Sequence, residues 1–131
     1  MKKNGMINSD IASVLARLGH TDTIVIADCG LPIPEHVPRI DLSITKGTPS
    51  FIEVLEAILD DMEVEKMTLA NEMEIHNPSL HQNLLNRCNQ YTMDFLSHDV
   101  LKEATNDAKV VIRTGEASPF ANVILTSGVI F

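Results

Sequence analysis

Apolar positions along this chain switch between two periods. Ile11, Val14, Leu15 and Leu18 fall at i, i+3, i+4 and i+7, which is one stripe of a helix. Asn8, Ser9 and Asp10 supply N-cap residues before it, and Gly19 suits the C′ position after it. Thr23 to Ala27 then reads as a short buried strand, followed by a loop punctuated by Pro32, Pro34 and Pro38. From Arg39 to Ile44 the pattern alternates, with Ile40, Leu42 and Ile44 on one face of a second strand. Thr48-Pro49 predicts a cap followed by proline at the first helical position. That helix carries Phe51, Ile52, Val54, Leu55, Ile58, Leu59 and Met62 on a broad apolar side, with Glu53, Glu56 and Asp60 toward solvent. Val64 to Asn71 is a third strand. Asn77-Pro78 opens a helix bearing Leu80, Leu84, Leu85 and Cys88, and Tyr91 to Leu96 is a strand. Ser97 caps a helix from His98 to Thr105, and Lys109 to Thr114 and Asn122 to Thr126 are two last strands. Helices alternating with short β-rich runs predict an α/β fold: residues 1–131 as a single layered domain, with a central mixed sheet flanked by helices. The run Val123 to Phe131 is very apolar for a terminus, so it is expected to lie buried in the core or between subunits.

Composition narrows the function more than the fold. A chain of 131 residues can bury a real core, and with aromatics at 4% that core must come from Ile, Val, Leu, Met and Ala. A formal charge of −8 argues against a nucleic-acid surface, which needs clustered Lys and Arg. Met1-Lys-Lys is followed by Asn4 and Gly5 rather than an apolar run, so no signal peptide is expected, and no stretch approaches the ~20 apolar residues of a membrane span. Cys29 and Cys88 have no metal or redox spacing. These features predict a cytoplasmic protein with free thiols, no nucleic-acid partner and no membrane partner.

Candidate chemistry gathers around Leu18 to Pro34. His20 precedes the first strand and Asp28 ends it, just before Gly30. In open α/β sheets ligands bind outside the carboxyl ends of strands, which favours Asp28. At ~3.3 Å of rise per strand residue, His20 and Asp28 should stand far apart within one subunit. Either the Gly19 turn folds back, or the site is shared between subunits. Imidazole gives or takes a proton near neutral pH, yet a histidine at a helix end can equally serve to offset the dipole. Asp28 has a comparable plain use as a turn residue, and Asp22 shares it. Ser97-His98-Asp99 has the letters of a catalytic triad, but adjacent residues cannot form one. Asn122 offers donor and acceptor together, which suits a sugar hydroxyl, or closes a turn. Arg113 and Glu116 are expected to pair and shape the loop from Gly115 to Ala121. His76 and His81 are five residues apart with Pro78 between, so no metal site is expected.

The blocks Asn8-Ser-Asp, Leu18-Gly-His-Thr-Asp, Asp28-Cys-Gly-Leu-Pro-Ile-Pro, Arg39-Ile-Asp-Leu, Gly47-Thr-Pro, Ser97-His, Val111-Ile-Arg-Thr-Gly-Glu, Ser118-Pro-Phe-Ala-Asn and the C-terminal Gly-Val-Ile-Phe are collinear over nearly the whole chain. Together they resemble the D-ribose pyranase (ribose mutarotase) family. The resemblance implies an isomerase of carbohydrate metabolism that interconverts the pyranose and furanose forms of D-ribose, without cofactor or metal. It implies His20 as proton donor, and Asp28, His98, Phe120, Ala121 and Asn122 as substrate-binding residues, with Lys102 on the same side as His98. It also implies a homo-oligomer, five-membered rings stacked as a homodecamer, with sites at subunit clefts. The family pattern carries Tyr-Ala-Asn where this chain has Phe120-Ala-Asn, so one hydroxyl is missing. A mutarotase for another sugar such as L-fucose, or a non-catalytic sugar-binding partner of a transporter or kinase, are the competing readings.

Overall fold

The computed structural model describes residues 1–131. Its elements are α1 (Ser9–Arg17), β1 (Thr23–Ala27), β2 (Arg39–Asp41), α2 (Phe51–Leu59), β3 (Val64–Ala70), α3 (Met73–His76), α4 (Pro78–Arg87), β4 (Thr92–Leu96), α5 (His98–Ala104), a 3-10 turn (Thr105–Asp107), β5 (Val111–Arg113) and β6 (Val123–Ser127). The strands form one six-stranded mixed sheet in the order β2-β5-β1-β6-β3-β4. β1 pairs parallel with β5, β5 with β2, and β3 with β4, while β6 pairs antiparallel with both β1 and β3. β6 therefore runs against all the others. The carboxyl ends of five strands and the start of β6 meet along one edge of the sheet.

Strand alternation divides the core in two. Ile24 and Ile26 of β1, Met67 and Leu69 of β3, and Val123 and Leu125 of β6 point to one face, against Ile11 of α1, Phe51, Leu55 and Ile58 of α2, and Leu84 of α4. Val25 and Ala27 of β1, Val111 of β5 and Ile124 of β6 point to the other face, against Leu101 of α5 and the Leu31–Val37 loop. Apolar residues on both strand faces give the near-continuous runs seen in β1 and β6, as expected for a sheet covered on both sides.

Several local readings change. Ser50, not Thr48, caps α2: its side chain accepts from the Glu53 N–H while Glu53 accepts from the Ser50 N–H, a capping box. Pro49 thus precedes the helix instead of opening it. The second strand is shorter than its alternation suggests. Asp41 Oδ1 accepts from the Ser43 N–H, Ile44 N–H turns to the Thr48 carbonyl, and Ile44 is left 78% exposed. The short helix α3 occupies the stretch between β3 and α4, where the sequence pattern predicts no element. Gly19 follows the Leu18 C-cap, but Thr21 takes the left-handed conformation, at φ 69°. The apolar terminus divides: Val123 to Leu125 are buried, while Ile130 and Phe131 are 90% and 100% exposed.

Candidate functional site

Asp28 directly follows β1 at the edge where the strand carboxyl ends meet. Its backbone N–H donates to Asn122 Oδ1 at 2.9 Å, and Asn122 Nδ2 donates to Asp28 Oδ2 at 2.9 Å. Two bonds between the same pair fix both the position and the rotation of the carboxylate. Asp28 Oδ1 accepts from the Gly30 N–H at 2.9 Å, so the turn-residue reading holds alongside the site reading. Asn122 is fully buried and its side chain is engaged at both ends, which makes it the residue that orients Asp28. Each carboxylate oxygen keeps a further lone pair for a ligand hydroxyl.

The neighbouring strands complete this cluster. Ser97 follows β4 and caps α5 by accepting from the Val100 N–H, which places His98 in the first helical turn. Glu72, just beyond β3, accepts the His98 backbone N–H at 2.7 Å. The His98 ring meets Phe120 edge-on with centroids 4.9 Å apart, and His76 lies on Phe120 at 5.5 Å. His98 Nδ1 is buried without a protein partner. An unpaired buried nitrogen is costly, and a sugar hydroxyl is the kind of group that would relieve it. Phe120 has φ 58°, the left-handed region that bulky residues avoid. Ala121 is buried directly behind it. Asn77 Nδ2 donates to both Ser118 Oγ and the Pro119 carbonyl, holding the approach to Phe120 in place. Lys102 pairs with Asp99 at 3.1 Å on α5.

The expected Arg113–Glu116 pair does not form. Arg113 donates to Asp41 Oδ2, Ser43 Oγ and the Cys29 carbonyl, tying β5 to β2 and to the residue after Asp28. Glu116 accepts from the Phe51 and Ser118 N–H groups. Both side chains still shape this edge, through partners far away in sequence. The Ser43 hydroxyl is the largest influence on the Asp41 carboxyl; burial, the second largest, pushes it up, but the hydroxyl together with the Ser43 N–H and Arg113 holds it below the usual carboxylate range. Cys29 and Cys88 are both free thiols, and burial pushes the Cys88 thiol up.

His20 is not part of the cluster. It precedes β1 and sits at the opposite edge of the sheet, where its Nε2 lies 2.6 Å from Glu65 Oε2. It lines a hollow of about 390 Å³ with Leu15, Leu18, Glu63 and the terminal residues Val129 to Phe131. The Gly19 turn does not bring it back to Asp28. The sequence reading missed Glu65, Glu72, Asn77 and His76 as participants. Only Asn77 carried a local signal, as the residue before a helix-opening proline. The others become relevant through strand order, which no local pattern discloses.

The whole chain, and not the cluster alone, has counterparts among known proteins. Residues 1–130 match the model of the RbsD / FucU transport protein family. A D-ribose pyranase of Bacillus cereus is 56% identical over 131 residues, and one of Shouchella clausii is 60% identical, each covering all of both chains. The structure of Bacillus subtilis RbsD complexed with D-ribose superposes with a TM-score of 0.98 at 47% identity, covering both chains completely. With likeness of this extent in sequence and in backbone, the chain belongs to the RbsD / FucU transport protein family.

Proposed function

We propose that this protein is a D-ribose pyranase, an isomerase that interconverts the pyranose and furanose forms of D-ribose. The observation that carries the reading is the end-to-end identity of 56% to 60% with D-ribose pyranases. The Asp28–Asn122–His98–Phe120 cluster supports it with the right chemistry: fixed acceptors, an unpaired imidazole nitrogen and an aromatic wall for a sugar face. In the reaction the anomeric hydroxyl loses its proton while the ring oxygen gains one. The bond between C1 and the ring oxygen breaks, leaving an open aldehyde. A different hydroxyl then adds to C1, that on C4 for the furanose or that on C5 for the pyranose. Nothing is oxidised or reduced. Positioned acid–base groups supply ~10²–10⁴-fold, ample for a reaction that already proceeds in water.

His20 serves as the proton donor, and Asp28, His98, Phe120, Ala121 and Asn122 form the sugar-binding side. Because His20 lies at the far end of β1 from this cluster, the working site joins His20 of one subunit to the cluster of another. The protein is accordingly a homo-oligomer, built as two stacked five-membered rings, acting as one domain per subunit in the cytoplasm. The test is NMR saturation transfer between ribose ring forms. The parent should accelerate exchange, and His20→Ala should abolish that acceleration with the melting temperature and assembly mass unchanged. Binding of ribose by the parent without faster exchange would leave a sugar-binding protein and remove the isomerase reading.

A further inference from the structure

His20 carries a carboxylate partner that its proposed role can use. The main chain around it is already fixed. Gly19 N–H donates to Asp22 Oδ2 at 2.8 Å, Asp22 N–H donates to the Gly19 carbonyl, and Thr21 N–H donates to the Ser127 carbonyl at 2.9 Å. What remains free is the rotation of the imidazole on its own side-chain bonds. Glu65 lies where it can stop that rotation, because of an irregularity in the sheet. β3 pairs Val64 with Ser127 and Lys66 with Thr126, so Glu65 is an extra residue between two consecutive partners on β6. Such a bulge re-aims the side chain of the inserted residue. Gly128 closes over it, since a Cβ at that position would stand 3.4 Å from Glu65 Cβ and Glu65 N. Asp61 and Glu63 line the same hollow, and Asp22 faces Lys109, but only Glu65 makes a hydrogen bond to the ring.

We propose that Glu65 is the positioning residue of His20, and that it assigns Nδ1 as the ring atom presented to the sugar. The inference rests on the proton-donor reading of His20. A carboxylate only accepts, so His20 Nε2 must carry the proton that bonds Glu65. Nδ1 is then the free atom: a lone pair in the neutral ring and a donor in the cation. A hydrogen bond at one ring nitrogen sets the state of the other. Glu65 touches neither the sugar nor the transferring proton, and it acts only by holding the ring and its tautomer.

The experiment compares the full-length parent, His20→Ala and Glu65→Ala in ribose exchange, with ¹⁵N spectra of the histidine rings. The Glu65 side chain is 51% exposed, so its truncation leaves the core intact. In Glu65→Ala, kcat for exchange should fall about tenfold or more, within the ~10²–10⁴-fold that a placed acid–base group provides, while KM stays near the parent value. The neutral His20 ring, assigned by its loss in His20→Ala, should change from the Nε2–H form to a mixture of tautomers. Parent-like kcat in Glu65→Ala beside an inactive His20→Ala would overturn the role of Glu65 alone, as would unchanged His20 nitrogen shifts or a loss confined to KM. Parent-like exchange in His20→Ala would remove the proton-donor reading and the role of Glu65 with it.

Discussion

Phe120 stands in the left-handed region, between two histidine rings, at the position where the family pattern has tyrosine. Backbone strain of this kind costs ~1–3 kcal/mol and persists only where the surroundings impose it. Here Asn77 grips the preceding carbonyl, and Asn122, two residues on, is locked to Asp28. The strain therefore aims the ring across His98. Replacing Phe120 with Tyr restores one hydroxyl without changing the wall. Where that hydroxyl reaches a sugar oxygen, ribose affinity should rise by up to about tenfold, the equivalent of ~0.5–1.5 kcal/mol. Titration of ribose alongside a melting curve checks this. A lower melting temperature with unchanged affinity would mean that the hydroxyl is buried unpaired, and that Phe120 lies outside the sugar's reach. Asn122 follows a different logic. Asn122→Ala leaves the Asp28 N–H and one carboxylate oxygen without their buried partner, so stability should drop by ~1–3 kcal/mol in chemical denaturation.

Between residues, the loop from Gly115 to Ala121 decides whether the cluster exists. Gly115 is needed for proximity: a Cβ there would lie 2.2 Å from the Thr48 carbonyl oxygen and 2.5 Å from its carbon. Backbone atoms cannot step aside as a flexible side chain can, so Gly115→Ala should destabilise by ~1–3 kcal/mol and weaken ribose binding. An unchanged denaturation midpoint would show that the loop shifts freely. The Asp41–Arg113 tie beside it has a pH signature. Asp41 is held below the usual carboxylate range when folded, so its contribution is fully present above the unfolded value, near pH 4, and is lost as pH falls through the lowered folded value. The melting-temperature gap between the parent and Asp41→Asn should therefore close on acidification below about pH 4. Much of this layer was legible beforehand. The alternation from Arg39 to Ile44, the short β-rich runs elsewhere and the period-3.6 stripes announced the six strands and the longer helices, and Ser97 announced α5. What could not be read was anything settled by distant residues. Ser50 outcompetes Thr48 as the cap because Glu53 can answer it. Arg113 reaches Asp41 because β5 lies beside β2, although Glu116 is only three positions away in sequence.

Across the whole molecule, the separation of His20 from Asp28 was foreseeable from strand rise alone, and the sheet upholds it: the two residues flank β1 at opposite edges. With His20 proposed as proton donor at one edge and the proposed sugar-binding cluster at the other, the reaction requires a second copy to bridge them. The C-terminus points the same way. β6 ends at Ser127, and beyond it Val129, Ile130 and Phe131 are 37%, 90% and 100% exposed in the lone subunit. Three consecutive apolar residues held open to water cost about 25 cal/mol per Å² of apolar surface, a cost that a subunit contact would remove. They also line the hollow that holds His20, so the surface that would assemble the protein adjoins the group that would donate the proton. Each subunit carries a net charge of −8, so this apolar gain must exceed a like-charge repulsion that salt screens. Deleting residues 129–131 leaves every strand and both core clusters in place, which separates assembly from folding. The truncated chain should keep its circular dichroism, sediment at lower mass than the parent, regain mass as salt is raised, and lose ribose exchange in step with the loss of mass. A parent that sediments as a monomer at micromolar concentration while still catalysing exchange would sink the shared site.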